Sequence, residues 1–200
     1  PPIDTVVLFD TAKPSMIDAN TPVSRLIEDA DTLKIEVDHH LGSDSSYFGD
    51  EDYCLVTEAS SSGELVGQIL LRLKGNRKLL KRFQINDLAS RNIVLAILTG
   101  IIGDSKMGMY LKSDREKEYY RVFSAMFNEM LAEKTTRRTN FSDMQQVFQE
   151  IQRLSKNEER CFHYFIERKR FSEKIGFVVL SERDIETLCG EFDNDTIVSV

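Results

Sequence analysis

The sequence predicts an α/β fold: a parallel sheet flanked by helices, followed by a linker helix and the start of a second α/β domain. Apolar runs rich in β-branched residues at 4–9, 33–37 and 53–57 are typical of buried parallel strands. Between the first two, residues 22–30 have a helical pattern that begins with proline. This strand–helix–strand order is long enough for a parallel crossover connection.

Two further segments predict the helices that cover the sheet. Ser61 and Glu64 fit a capping box that starts an apolar-periodic helix. Residues 87–102 form the most apolar stretch, and we expect the central core helix there, broken at Gly100 and Gly103.

The chain is expected to contain three parts. Residues 1–133 form the C-terminal portion of a first domain, which ends in a long helix with a methionine and aromatic stripe. Residues 134–157 form a linker helix, and residues 158–200 begin a second, substrate-binding domain. In that second domain we predict at least one strand, at 175–180, and a helix at 181–192.

Composition narrows the class of protein. Of 200 residues, 41% are hydrophobic and 30% are charged, which is typical of a soluble globular chain. The net charge of −7 means that the molecule as a whole repels long nucleic acid, which argues against an exonuclease of long DNA. Cys54, Cys161 and Cys189 are odd in number and lie far apart, so we predict reduced thiols in the cytoplasm. The longest apolar run, at 93–102, is too short to span a membrane.

The most informative stretch is Asp38-His39-His40, which ends the second predicted strand. Ligands of open α/β sheets bind where the strands end, and imidazole with carboxylate suits manganese, zinc or iron. The alternative is that Asp38 caps a turn and the two histidines are ordinary loop residues. The third histidine, His163, is predicted to lie on an apolar helix face with a structural role.

Two other aspartates occupy comparable positions. Asp10 directly follows the first predicted strand, and Asp104 follows the long apolar helix within Gly103-Asp104-Ser105. Each could instead be a plain turn residue. The helix that follows the third predicted strand begins with three serines, at 60–62, and its N-terminus could hold an anion.

In order and spacing, Asp10-Thr11, Asp38-His39-His40 and Gly103-Asp104-Ser105 resemble the DHH phosphoesterase family. The resemblance is to its RecJ-like and oligoribonuclease–pAp phosphatase-like members, which form DHH subfamily 1. The resemblance covers roughly residues 4–110. It implies that residues 1–133 belong to a DHH domain and that 158–200 begin a DHHA1-like domain.

The resemblance also implies roles for individual residues. Asp10, His39 and Asp104 would be metal ligands, and the complete protein would hold two Mn²⁺ ions, with Mg²⁺ as the alternative. His40 would face the substrate phosphate and Asp38 would orient a ligand, so both are assigned catalytic roles. These five assignments are joined by Ser61 and Ser62, which would bind substrate.

The family's first motif, a His followed by two aspartates, would lie upstream of Pro1 in a longer protein. We therefore expect the 200 residues to be inactive alone, because they lack part of the two-metal site. Lys106 and Met107 also replace the Thr-Gly that commonly follows the last aspartate.

The expected function is metal-dependent hydrolysis of phosphodiester or phosphomonoester bonds in short nucleotides, namely oligoribonucleotides, pAp or dinucleotides. The alternatives are a manganese pyrophosphatase or exopolyphosphatase, and a non-catalytic regulatory module that binds nucleotide. A plain structural domain would require three coincidental aspartates. Expected partners are a short nucleotide or oligonucleotide, with no membrane and with a homodimer left open.

Overall fold

The computed structural model describes residues 3–17, 22–42, 45–133, 141 and 143–200. Within it the chain divides into two compact units, Pro1–Ile151 and Gln152–Val200. The first part of the predicted linker, residues 134–140, lies outside the described residues.

A three-stranded parallel sheet forms the centre of the first unit. Its strands are β1 (Thr5–Phe9), β2 (Leu33–Asp38) and β3 (Cys54–Val56), in the order β1-β2-β3. Phe9 pairs with Val37, and Val37 pairs with Leu55, so the strands end at one edge. The predicted α/β class with a parallel sheet flanked by helices is confirmed.

Among its described residues, the first unit contains a short 3-10 helix (Pro14–Met16) and six α-helices. The α-helices are α1 (Pro22–Glu28), α2 (Ser62–Lys74), α3 (Arg77–Arg82), α4 (Arg91–Ser105), α5 (Asp114–Glu133) and α6 (Met144–Ile151). The core lies among α2, α4, α5 and α6. Its fully buried side chains include Val94, Leu98, Ile101, Phe123 and Phe127. Helix α6 adds Val147 to this core.

The prediction that α4 breaks at Gly100 and Gly103 is wrong, since the helix runs on to Ser105. The start of α2 approaches α4 closely at Gly63, because a Cβ built on Gly63 would lie 3.1 Å from the carbonyl oxygen of Ile97, whereas one built on Gly100 would make only ordinary contact. Packing of these two helices outweighs the low helix propensity of glycine. As a consequence, Asp104 lies in the last turn of α4 rather than after it.

The second unit contains α7 (Lys156–Glu167), β4 (Lys169–Ser172), β5 (Ile175–Val178), α8 (Glu182–Glu191) and α9 (Asn194–Ser199). Strands β4 and β5 form an antiparallel hairpin, so the predicted strand has a partner that the sequence pattern did not reveal. The small core of the second unit consists of Cys161, Leu188 and Phe192. His163 is exposed on α7, which corrects its predicted place on an apolar face.

No helix in the described ranges is long and apolar enough to cross a membrane. The three cysteines are free.

Candidate metal centre

The ends of β1, β2 and α4 place four predicted site residues around one cleft. Asp10 follows β1, and its backbone N–H donates to the carbonyl of Val37 at 3.1 Å, which keeps it beside the end of β2. The cleft has a volume of about 580 Å³, and Asp10, His39, His40 and Asp104 all line it.

His39 lies between the two carboxylates that come from different elements. Its Nε2 is 3.5 Å from Asp10 Oδ1 and 3.6 Å from Asp104 Oδ2. Its Nδ1 is 3.2 Å from the carbonyl oxygen of Ala59. A carbonyl can only accept, so Nδ1 carries a proton and Nε2 is the nitrogen that faces the two carboxylates. A backbone carbonyl on the remote nitrogen is the usual way to orient a metal-ligating imidazole.

Asp38 holds the ring of His40. Its Oδ1 accepts from the backbone N–H of His40 at 2.8 Å and from the ring Nδ1 at 2.7 Å. Burial alone would raise the pKa of the Asp38 carboxyl, but the hydrogen bonds from His40 outweigh it and hold the pKa below its usual value. The other oxygen, Oδ2, is buried and has no hydrogen-bond partner among the described residues. The geometry therefore gives Asp38 a partner to orient, namely His40.

Asp10 adopts an uncommon backbone conformation. Its φ is 57°, in the left-handed region that few non-glycine residues occupy. Ser62 Oγ donates to Asp10 Oδ1 at 2.8 Å. Residues held in such conformations cluster at ligand sites, because the surrounding structure must fix them there.

Asp104 lies in an environment that disfavours its negative charge. Burial raises the pKa of its carboxyl, and the charge of Asp10 adds to the rise, although His39 and His40 oppose it. A bound cation would relieve this repulsion.

The side chains fit a divalent cation. Ligand atoms of Asp10, Asp38, His39 and His40 all lie within 4.8 Å of one another. Carboxylate oxygens and imidazole nitrogens form a donor set that manganese accepts.

The two predicted substrate-binding serines have other contacts in the structure. Ser61 is buried, and its hydroxyl caps α2 by accepting from the backbone N–H of Glu64 at 3.1 Å. Ser62 is also buried and reaches Asp10. Their contact with substrate stays a prediction, while the neighbouring Ser60 lines the cleft.

Half of the predicted capping box is replaced by a different network. The carboxylate of Glu64 does not return to Ser61 but accepts from the backbone N–H and hydroxyl of Ser60, at 2.9 and 2.7 Å. Arg115 Nε lies 3.3 Å from the other oxygen of Glu64. A fully buried carboxylate with a cationic partner thus fixes the loop beside His39, and the capping pattern gave no signal of it.

Sequence reasoning also missed a group of cleft residues that follow Asp104. They are Tyr110, Lys112 and Glu116, together with Glu58 from the loop after β3. Their proximity in sequence to Asp104 was the one available signal.

Comparison with known proteins adds no relative: no protein-family model matches the chain, and no curated protein matches it. Function is therefore inferred from the side chains of the cleft.

Proposed function

We propose that this chain carries the metal and phosphate site of a metal-dependent phosphoesterase that hydrolyses short nucleotides. The supporting observation is the convergence of Asp10 and Asp104 on the Nε2 atom of His39, with His40 lining the same cleft. These residues come from β1, β2 and α4, so distant parts of the sequence supply one donor set.

Asp10, His39 and Asp104 are the side chains that would hold the ions. Mn²⁺ suits their mixture of oxygen and nitrogen donors, and Mg²⁺ is the alternative. When bound, divalent ions supply Lewis-acid stabilisation of the charge that develops on a phosphoryl group. Ser62 positions Asp10 for this role through its hydroxyl.

His40 is the residue proposed to face the substrate phosphate. Because its Nδ1–H donates to Asp38, the free Nε2 atom is the one available to a ligand. The side chain of His40 is 44% exposed, whereas that of Asp38 is 2% exposed, so the ring is accessible while its anchor is not. Protonated His40 would donate to a phosphoryl oxygen and stabilise negative charge in the transition state.

The charge of the chain favours a small substrate. A net charge of −7 repels a long polyanion beyond the immediate site. We therefore propose oligoribonucleotides, pAp or a dinucleotide as substrates. Pyrophosphate or polyphosphate hydrolysis uses the same ligands and is kept as an outcome of the test, as is nucleotide binding without cleavage.

A turnover assay tests the proposal. A full-length protein that contains this chain is incubated with Mn²⁺ and with pAp, a dinucleotide or pyrophosphate side by side. We expect phosphate or mononucleotide from the first two, and loss of turnover in Asp10→Ala and Asp104→Ala. Asp87→Asn, an exposed aspartate that does not line the cleft, is the matched control. Cleavage of pyrophosphate alone would replace the proposal, and tight nucleotide binding without turnover would indicate a regulatory module.

A further inference from the structure

The cleft has a second group of side chains that the phosphoryl chemistry above does not use. Tyr110 and Lys112 line the same cavity as Asp10, His39 and Asp104. Both come from the segment between α4 and α5, directly after the last metal-ligand candidate.

Tyr110 presents an aromatic surface in a cleft that is otherwise largely polar. The residue is 57% exposed. Its position is set by its backbone, because its N–H donates to the carbonyl of Ser105 at 3.0 Å, one residue beyond Asp104. Lys106 Nζ lies 5.7 Å from the centroid of the ring. An exposed, anchored ring beside a phosphate site is suited to stacking against a nucleobase.

The backbone of Lys112 is held by a hydrogen bond, whereas its side-chain ammonium group has no ion-pair partner among the described residues. Its backbone N–H donates to Glu116 Oε2 at 2.5 Å, and Glu116 is 3% exposed. The Lys112 side chain is exposed and forms no ion pair with any residue in the described ranges.

Arg115 provides a contrast among the cations near the cleft. It forms an ion pair with Glu64 and donates to the carbonyl of Glu58. Its charge is therefore already used by the protein, and the ammonium of Lys112 is left to a ligand.

We propose that Tyr110 and Lys112 form a nucleotide subsite: Tyr110 stacks on the base, and Lys112 binds a second phosphate. This inference rests on the proposed function and narrows its substrate class to nucleotides with a second phosphate. It also gives a physical reason for preferring a nucleotide over pyrophosphate, since pyrophosphate has no ring for Tyr110 to contact.

The sequence contains no tryptophan, so Tyr110→Trp introduces a single fluorescent reporter at the proposed stacking position. The variant is titrated in the presence of Mn²⁺ with adenosine 3′,5′-bisphosphate, with AMP and with pyrophosphate. We expect saturable quenching by the two nucleotides and none by pyrophosphate. Tyr47→Trp places the reporter at another exposed tyrosine outside the cleft and should not respond.

The second phosphate is tested by Lys112→Gln in the Tyr110→Trp background. Binding of the bisphosphate should weaken by about tenfold, within the range for losing one charge-assisted contact, while binding of AMP changes little. Lys78→Gln removes an exposed lysine from α3 and is the control. Tyr110→Ala, made without any other substitution, should bind nucleotide about tenfold more weakly than wild type, as measured by calorimetry.

The outcomes separate this subsite from the function on which it rests. If calorimetry detects nucleotide binding to the wild-type chain but the tryptophan at 110 does not respond, the subsite is refuted and the proposed function stands. Equal quenching by pyrophosphate also refutes the subsite. An unchanged bisphosphate affinity in Lys112→Gln refutes the assignment of Lys112. If neither the wild-type chain nor a full-length protein that contains it binds nucleotide, both proposals fail.

Discussion

Replacing Asp104 with asparagine should stabilise the metal-free protein and remove its response to metal. The charged carboxyl is disfavoured in the fold, because burial raises its pKa and the charge of Asp10 adds to the rise, and together they outweigh the opposing charges of His39 and His40. Asp10 Oδ1 and Asp104 Oδ2 both lie within 3.6 Å of His39 Nε2, so these two oxygens are at most about 7 Å apart. Asparagine keeps the shape of the side chain and removes the repulsion.

The magnitude follows from that separation. Two unit charges about 7 Å apart repel by about 0.6 kcal/mol in a water-like dielectric. Because the Asp104 side chain is 43% exposed, solvent screening keeps the gain on this scale. Asp104→Asn should therefore raise the melting temperature of the metal-free first unit by roughly 1–2 °C.

Bound Mn²⁺ should make wild type the more stable of the two proteins. A ligand present at 100 times its dissociation constant stabilises the folded state by about 2.7 kcal/mol. Wild type should thus gain roughly 5–10 °C on addition of Mn²⁺ at that ratio, and Asp104→Asn should gain little. The measurement is a thermal melt of both proteins with EDTA and with Mn²⁺, with Asp87→Asn as the control for charge removal at an exposed aspartate.

The dependence on pH has a definite sign. A carboxyl with a raised pKa destabilises the fold when it is charged, so wild type regains this stability as the pH falls through that pKa. The difference between wild type and Asp104→Asn should disappear below about pH 4. If the variant is less stable than wild type in EDTA, or if it keeps the full Mn²⁺ response, the assignment of Asp104 as a destabilised metal ligand is wrong.

Three further predictions concern the support of the site. A Cβ added at Gly67 would overlap the buried ring of Phe123, so Gly67→Ala should lower the free energy of unfolding by about 1–3 kcal/mol through overpacking. Gly103→Ala should not lower it, because nothing lies within 4 Å of the added Cβ, and urea titrations distinguish the two variants. The pKa of Asp38 is lowered in the fold, so its ionised carboxylate stabilises the folded state at neutral pH, and this stabilisation is lost as the pH falls below about 4. In Asp38→Asn, the free energy of unfolding should therefore depend less on pH in that acidic range. Burial and the Glu36 carboxylate raise the pKa of Cys54 to about 11, so iodoacetamide should label it slowly at pH 8, as followed by mass spectrometry, and equal labelling in Glu36→Gln would contradict this cause.

The sequence predicted which site residues lie together where their position depends only on the ends of neighbouring parallel strands. Asp10 and Asp38-His39-His40 each end a strand, and the carboxyl ends of neighbouring parallel strands meet at one edge. Asp104 was also identified, although the reason was incorrect, because Gly100 and Gly103 lie inside α4 and do not end it.

Other parts of the site depend on contacts that no local pattern encodes. Tyr110 and Lys112 reach the cleft because the chain after α4 turns through left-handed conformations at Lys106, Met107 and Gly108. Two of those three residues are not glycine, so no residue pattern predicted the turn.

The buried Glu64 is a further example. Its spacing from Ser61 fits a capping box, but its carboxylate is drawn to Ser60 and to Arg115, which is distant in sequence. Local spacing therefore identifies the helix start but not the network that the side chain joins.

Pulsed electron paramagnetic resonance of Mn²⁺ added to this chain tests the central claim most directly, because it reports which atoms bind the ion. We expect a bound Mn²⁺ with nitrogen coupling from one histidine. The coupling should be lost in His39→Ala and retained in His163→Ala, which alters an exposed histidine on α7. Binding without nitrogen coupling, or coupling that survives His39→Ala, would contradict the metal centre proposed here.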